Sequence, residues 1–391
     1  MSHRNFNLIK YLLAALIFFA LGTAAFILFG RDAVSPVEYS ASPIIPAIDP
    51  PFKPKPIIHL STPIPTKGIY MTSCVAATPS FREQLVKLIE ETELNSIVID
   101  IKDYSGTISF KSDNPLLESG GKGCLVNDMK EFVEELHNKN IYVIGRITVF
   151  QDPYYAKKRP DLAVKMADKK TVWKDYKGLS FIDPGAKEYW DYIVELSKES
   201  YKLGFDELNF DYVRFPSDGN MKNIYYTFSQ DKLNADPSLG RAKILREFFS
   251  YLHNNLKNTG AILSVDLFGF VTTHTDDLNI GQILEYAIPY FDYICPMVYP
   301  SHYPKGYNNY SNPADHPYEI ISLAMASSTQ RLLAASSTPS KMRPWLQDFD
   351  LGADYTSEMI RKEKKAVYDN GLDSWLLWDP ANKYTRGALD P

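Results

Sequence analysis

The chain has 391 residues, is 45% hydrophobic and carries a formal net charge of −5. That is length enough for one large core, and the mild acidity argues against a nucleic-acid partner. Cys74, Cys124 and Cys295 are too few and too scattered for a disulfide framework or a zinc site and allow at most one bridge.

The N-terminus reads as a membrane segment. Residues 11–30 carry no charge, which matches the hydrocarbon thickness for a helix. Arg4 and Lys10 precede the run, and after it Arg31 is balanced by Asp32. That asymmetry places the N-terminus in the cytoplasm and everything after the span outside. An uncleaved signal anchor is expected rather than a cleaved signal peptide, because the run is long for a signal core and no A-x-A site follows. Residues 35–66 hold nine prolines and little periodicity, the composition of a semi-rigid polyproline II spacer. The expected organisation is a tail and anchor over 1–34, a linker over 35–66 and one domain over 67–391. The domain would sit on the extracytoplasmic side of the cell membrane.

Within that domain strands and helices alternate. A short strand is expected over 68–73. The run Ser80-Phe81-Arg82-Glu83 has the form of a capping box opening a helix to about 92. Residues 96–103 (SIVIDIKD) have the β-branched run of a buried parallel strand. Asn127 is expected to cap a helix ending near 140, followed by a strand over 141–149. An amphipathic helix over 185–203 is closed by Gly204. A helix over 239–258 leads to a strand over 261–268, and a short helix over 281–287 to a strand over 293–299. The last units are a helix over 317–327 with a strand over 341–347, and a helix over 355–370 with a strand over 374–378.

Between Gly204 and a Pro-Ser-Asp-Gly turn, residues 205–216 (FDELNFDYVRFP) form the central strand. Its period-two alternation would put Glu207, Asn209, Asp211 and Val213 on one face and Leu208, Phe210 and Tyr212 on the other. Eight strands alternating with helices over this length indicate a (β/α)8 TIM barrel. A doubly wound open sheet would more usually carry a glycine fingerprint at its first turn, and none is present.

Barrel enzymes work at the C-terminal ends of their strands. Those positions hold Asp100, Lys102 and Asp103 on the second strand, and Arg146, Gln151 and Asp152 on and after the third. The fourth brings Asp211 and Arg214, the fifth Asp266, and the sixth Tyr299 and His302. The seventh brings Gln347 and Asp348, and the eighth Asp379 and Asn382. Several carboxylates in one mouth fit glycoside hydrolysis, which needs one group to protonate the leaving oxygen and one to attack the anomeric carbon or activate water. All-oxygen metal binding competes for the same cluster. Loops after the third, fourth and sixth strands are rich in aromatic residues, among them Tyr154, Tyr155, Trp173, Tyr176, Tyr225, Tyr226 and Phe228. Such faces suit sugar rings, although tyrosines also pack long loops onto a barrel. No CxxC, HExxH, phosphate-cradling P-loop or GxSxG motif is present, and no metal or other cofactor is assigned.

The segments KGIYMTS, SIVIDIKDYSG, IYVIGRITVFQDP, GFDELNFDYVRFP, YICPMVYPSHY, MRPWLQDFD and SWLLWDPANKY together resemble a bacterial family of predicted glycosyl hydrolases with a TIM-barrel domain. The resemblance runs from Gly68 to the C-terminus and implies the barrel and hydrolase chemistry. More distantly, residues 206–213 are similar to the DxxDxDxE strand of chitinase-like enzymes. Asp206 and Asp211 match that pattern, Asn209 replaces the middle Asp, and Val213 stands where those enzymes keep their acid Glu. The proton donor would then come from another strand, or catalysis would be absent. The strand ending in Tyr299 also looks like the Met-x-Tyr strand of that group, making Tyr299 a substrate contact.

The expected catalytic pair is Asp211, as nucleophile or base beside Arg146 or Arg214, and Asp266, as general acid in an apolar setting. Asp100, Asp103, Arg146, Arg214, Tyr299 and Asp379 are expected to position sugar. The substrate would be a cell-envelope or extracellular polysaccharide. The alternative is a non-catalytic polysaccharide-binding protein on a degenerate hydrolase barrel.

Overall fold

The computed structural model describes residues 57–391. The expected membrane span and the linker up to residue 56 lie outside the described residues. Among the described residues no helix is long and apolar enough to cross a membrane.

Eight parallel strands close into a barrel in sequence order. They are β1 (Lys67–Met71), β2 (Ser96–Lys102), β3 (Tyr142–Thr148), β4 (Glu207–Asp211), β5 (Ile262–Phe268), β6 (Tyr293–Met297), β7 (Trp345–Gln347) and β8 (Trp375–Trp378). The ring is completed by β1 pairing with β8 through Gly68↔Leu376. The crossovers carry helices α1 (Pro79–Glu90), α2 (Met129–Asn138), α3 (Lys187–Leu203), α4 (Gly240–Leu256), α5 (Leu284–Ala287), α6 (Pro317–Ala334) and α7 (Ser357–Asp369). Short helices over Ser73–Ala76, Pro153–Lys158 and Gln230–Ala235 sit in the loops after β1, β3 and β4, the first of them taking Ser73 out of the strand expected over 68–73.

Period-two alternation along the strands makes two cores. Outward residues such as Ile69, Ile97, Val143, Leu208, Phe210 and Val265 pack against the helices. On α3, Tyr189, Trp190, Ile193 and Leu196 lie on the buried face, and each such side chain contributes about 1.5–3 kcal/mol. Inward residues form a smaller cluster with Tyr70, Val98, Tyr142, Ile144, Cys295 and Trp345. Helix α3 ends at Gly204, where φ is 121°. Glycine adopts that backbone without strain, and a Cβ there would meet Val133 Cγ1 at 2.9 Å.

Several boundaries differ from the sequence reading. The capping box at Ser80 is not made: α1 starts at Pro79 behind Thr78, because proline at the first helical position has no N–H to satisfy. Asn127 does not cap α2; Asp128 takes that place, and its carboxylate is held by Arg82 at 2.7 and 3.0 Å instead of by the helix. Strand β7 starts only at Trp345, after Pro344, which has no N–H for the ladder. The strand expected over 205–216 spans only Glu207–Asp211, since Tyr212 turns left-handed with φ 51°. Residues 57–66, read as linker, lie against the N-terminal end of the barrel. There Leu60 N–H donates to Asp206 Oδ1 at 2.7 Å and His59 stacks on Tyr201 at 3.9 Å.

The end of the barrel away from the mouth holds a buried ion pair. Arg343 Nη1 lies 2.8 Å from Glu207 Oε1, Tyr142 donates to Glu207 Oε2 at 3.1 Å, and the guanidinium stacks 3.8 Å from the Tyr293 centroid. Arg343 Nε and Nη2 have no further partner among the described residues, so Glu207 is the charge that makes this cation tolerable. Glu207→Gln is expected to lower stability by about 3–5 kcal/mol, read as a drop in the urea midpoint. A midpoint unchanged from wild type would show that the guanidinium is compensated by other groups.

Of the three cysteines, Cys74 and Cys124 are joined in a disulfide, and Cys295 is free and buried. The bridge ties the turn after β1 to the loop after β2 across 50 residues of sequence. Closing a loop of that length contributes roughly 2–4 kcal/mol. Reductant is therefore expected to lower the melting temperature of the wild type. A Cys74→Ser/Cys124→Ser variant should melt lower from the start and ignore reductant; equal melting of all forms would overturn the assignment.

Candidate active site

The C-terminal ends of the strands open into a cavity of about 280 Å³. Arg146 from β3, Asp211 from β4, Asp266 from β5, Trp345 from β7, Trp378 from β8 and Tyr299 beyond β6 all line it. Strand register explains the convergence, since Arg146 lies beside Asn209, and Asp266 beside Cys295, at the upper level of the ring.

Arg146 organises one half. Its Nε donates to Asp211 Oδ2 at 3.0 Å and its Nη2 to the same oxygen, while Nη1 donates to Asp100 Oδ1 at 2.7 Å. Asp211 Oδ1 also accepts from the Tyr212 N–H at 2.6 Å. A guanidinium this buried needs both carboxylates. Of the two arginines considered for Asp211, Arg146 is the one that pairs with it. Arg214 instead donates to Phe215 O and Ser217 Oγ while lining the cavity. Asp100 does not line the cavity. Its second oxygen accepts from Tyr70 at 2.6 Å, so it braces Arg146 rather than facing a sugar.

Asp266 occupies the other half under different conditions. Its Oδ1 accepts from Asn209 Nδ2 at 2.9 Å and Trp345 Nε1 at 2.8 Å, and no described hydrogen bond reaches Oδ2. Burial pushes its carboxyl well above the ordinary carboxylate range and the Asp211 charge adds to the rise, while Arg146, Asn209 and Trp345 pull the other way. Two carboxyl groups thus share one cavity, one ion-paired and one driven toward its protonated form. Tyr299 is buried beside them, and burial with both aspartates raises its phenol well above the usual range, so it faces the cavity as a neutral hydroxyl. Burial lowers the pKa of His302, which lines the same wall.

The structure does not bring Asp103 or Asp379 to the cavity. Asp103 Oδ1 accepts from the Ser105 and Thr107 N–H groups and from Ser105 Oγ, holding its own turn. Asp379 Oδ1 accepts from the Ala381 N–H at 2.5 Å. Lys102 follows a shift in the β2–β3 register and points to Asp152 at 2.8 Å. Asp206 lies at the N-terminal end of β4, held by the Val143 N–H at 2.8 Å and His137 at 3.0 Å. Val213 does not share a face with Asp211. The left-handed turn at Tyr212 sends Tyr212 to the cavity and Val213 into the hydrophobic core. The chitinase-like acid position is therefore turned away from the mouth, and the second carboxyl comes from β5.

Sequence reasoning passed over Tyr70, Tyr212, Trp345 and Trp378. Trp345 lay inside the PWLQDF segment, on the strand position whose alternation faces inward, which was the available signal. About half the loop aromatics are packing: Tyr155 against Tyr189 and Tyr192, Trp173 against Phe181 and Tyr226 against Phe215. Among the described residues no three His, Cys, Asp or Glu side chains converge so as to hold a metal ion.

Residues 68–384 match a family described as "putative glycosyl hydrolase domain". The chain belongs to this glycosyl hydrolase family. Among solved structures, the glycoside hydrolase domain of PgaB (BpsB) from Bordetella bronchiseptica is similar with a TM-score of 0.59 and 13% identity, over 81% of this chain and 94% of that one. The α-L-fucosidase isoenzyme 2 from Paenibacillus thiaminolyticus is similar with a TM-score of 0.55 and 14% identity, over 83% of this chain and 47% of that one. At such identities both likenesses show the barrel fold alone. A hypothetical protein from Ruminiclostridium thermocellum ATCC 27405 shares 30% identity over 51% of this chain and 96% of its own, with a TM-score of 0.43. No curated protein matches. The glycosyl hydrolase domain thus takes its general activity from its family, and its chemistry has to be read from the cavity.

Proposed function

We propose that this glycoside hydrolase cleaves a cell-envelope or extracellular polysaccharide through two carboxyl groups. Asp266 is the general acid that gives its proton to the glycosidic oxygen. Asp211 attacks the anomeric carbon or activates the water that does. The observation that carries the reading is the contrast within one cavity: Asp211 is locked against Arg146, while buried Asp266 is raised and keeps Oδ2 free. Pairs whose surroundings push their protonation apart are how acid and base roles are divided. Arg146 orients Asp211, and Tyr299 and Arg214 contact sugar hydroxyls.

The proposal includes a single-pass membrane anchor over 11–30 with the barrel outside the cytoplasm. The uncharged N-terminal run supports it, and so does the Cys74–Cys124 bridge, since disulfides persist in oxidising compartments. Incubating the chain with a panel of purified envelope and extracellular polysaccharides, and measuring new reducing ends, tests the activity. Release by wild type but not by Asp211→Asn or Asp266→Asn is the expected result. Retained binding to one polymer without release by any form would replace this reading with that of a binding protein.

A further inference from the structure

A second cavity of about 340 Å³ opens beside the first. Tyr70, Tyr104, Gln151, Lys177 and Pro380 contribute to its walls. It shares Arg146, Tyr212, Arg214 and Trp378 with the first cavity, so the two are halves of one trough divided by those four side chains. We infer that the second cavity is a subsite for the neighbouring ring of a glycan chain, so that productive substrates span at least two consecutive sugars. The inference rests on the hydrolase reading above.

Size, surface and hydrogen-bonding capacity agree on this occupant. Each cavity is near the lower end of the about 300–1,000 Å³ that small-molecule sites occupy, which suits one ring in each half rather than a chain in either. The wall carries an aromatic side chain that the fold leaves open, Tyr104, which is 56% exposed. A tyrosine offers an apolar face and a polar tip, which matches a sugar ring with its C–H face and hydroxyl edge. Trp378 gives a fixed wall, stacked on Tyr70 at 4.0 Å with the Arg146 guanidinium 5.2 Å from its ring centroid. Lys177 has no ion-pair partner among the described residues, and Arg214 Nη2 is 3.9 Å from exposed Asp218, so both have donors for ring hydroxyls. The Asp175 carboxylate is held by its own turn, accepting from the Lys177 and Leu179 N–H groups.

The dividing residues couple the halves. Arg146 faces both cavities and also holds Asp211, so a ring bound in the second half presses on the group that positions the nucleophile or base. Binding energy from a ring remote from the reacting bond can then appear in kcat as well as in KM.

The test compares two probes in the wild type, Tyr104→Ala, Lys177→Ala and the double variant. One probe is the polysaccharide that the wild type cleaves from the panel. The other is the glycosyl fluoride of its monosaccharide, whose leaving group is too small to enter the second cavity. Each single variant is expected to lose about tenfold in kcat/KM on the polymer, the scale of one lost hydrogen bond or ring contact. The double variant is expected to lose about a hundredfold there, and at least tenfold less on the fluoride. Equal losses on both probes, or none on the polymer, would overturn the subsite while leaving the hydrolase intact. Turnover of neither probe by the wild type would remove the hydrolase reading and the subsite with it. Both side chains are exposed, so unchanged melting temperatures are expected to show that the variants fold.

Discussion

Replacing Asp211 by asparagine is expected to cut glycan cleavage by at least about 10⁴-fold, the upper range for loss of a general base and below that for loss of a nucleophile. The side chain keeps its shape and its bond from the Tyr212 N–H, but the charge that faces Arg146 is gone. Among the described residues Arg146 then pairs only with Asp100, so the variant should also lose stability, on the scale of about 3–5 kcal/mol for a broken buried pair. The two effects separate cleanly. Near-ultraviolet circular dichroism at a temperature where the variant is folded reports the structure, and reducing-end release reports the chemistry. A folded variant with wild-type turnover would dismiss Asp211 from the mechanism.

The second large effect concerns pH. A general acid works while protonated, and Asp266 is raised by burial and by the Asp211 charge. Activity is therefore expected to hold as pH rises through the ordinary carboxylate range and to fall only above it, tenfold per pH unit once Asp266 ionises. Asp266→Asn should lose about 10²–10⁴-fold on the polymer and also lose this alkaline limb. Its deficit should shrink on aryl glycosides whose leaving groups need no proton. Trp345→Phe supplies the sign. The indole N–H donates to Asp266 Oδ1 and favours the charged form, so its loss raises the pKa further and moves the limb to higher pH. A limb that moved to lower pH, or one that survived Asp266→Asn, would reassign the acid.

Both predictions depend on one turn that the alternation of residues 205–216 could not reveal. A regular strand would have kept Val213 beside Asp211 and Tyr212 among the outward residues. The backbone goes left-handed at Tyr212 and exchanges the two. Local pattern carries no information about such a reversal, because it is imposed where the strand ends and its loop must pack. Asp103 and Asp379 failed to reach the cavity for a related reason. A carboxylate at a strand end can face the mouth or hold its own loop, and only the positions of nearby N–H groups decide between these. Trp345 was overlooked because a tryptophan in a strand reads as core. Its role as a donor follows from lying on β7, two strands along the ring from β5, with the indole reaching past β6 to Asp266.

The sequence by itself determined the barrel. Eight short apolar runs separated by helices bury their apolar faces in one arrangement, and each strand overlaps the span expected for it, although β4 and β7 are shorter. It also determined that Arg146, Asp211, Asp266 and Tyr299 stand at the C-terminal end of the barrel, because position along a parallel strand fixes which end a residue occupies. What only the tertiary structure decided is the state of each group there. Asp211 lies against Arg146 and Asp266 lies between Asn209 and Trp345, partners distant in sequence that the barrel's closure brings within hydrogen-bond reach. Which carboxyl keeps its proton depends on burial and on charges arriving from other strands, and those exist only once the ring has closed.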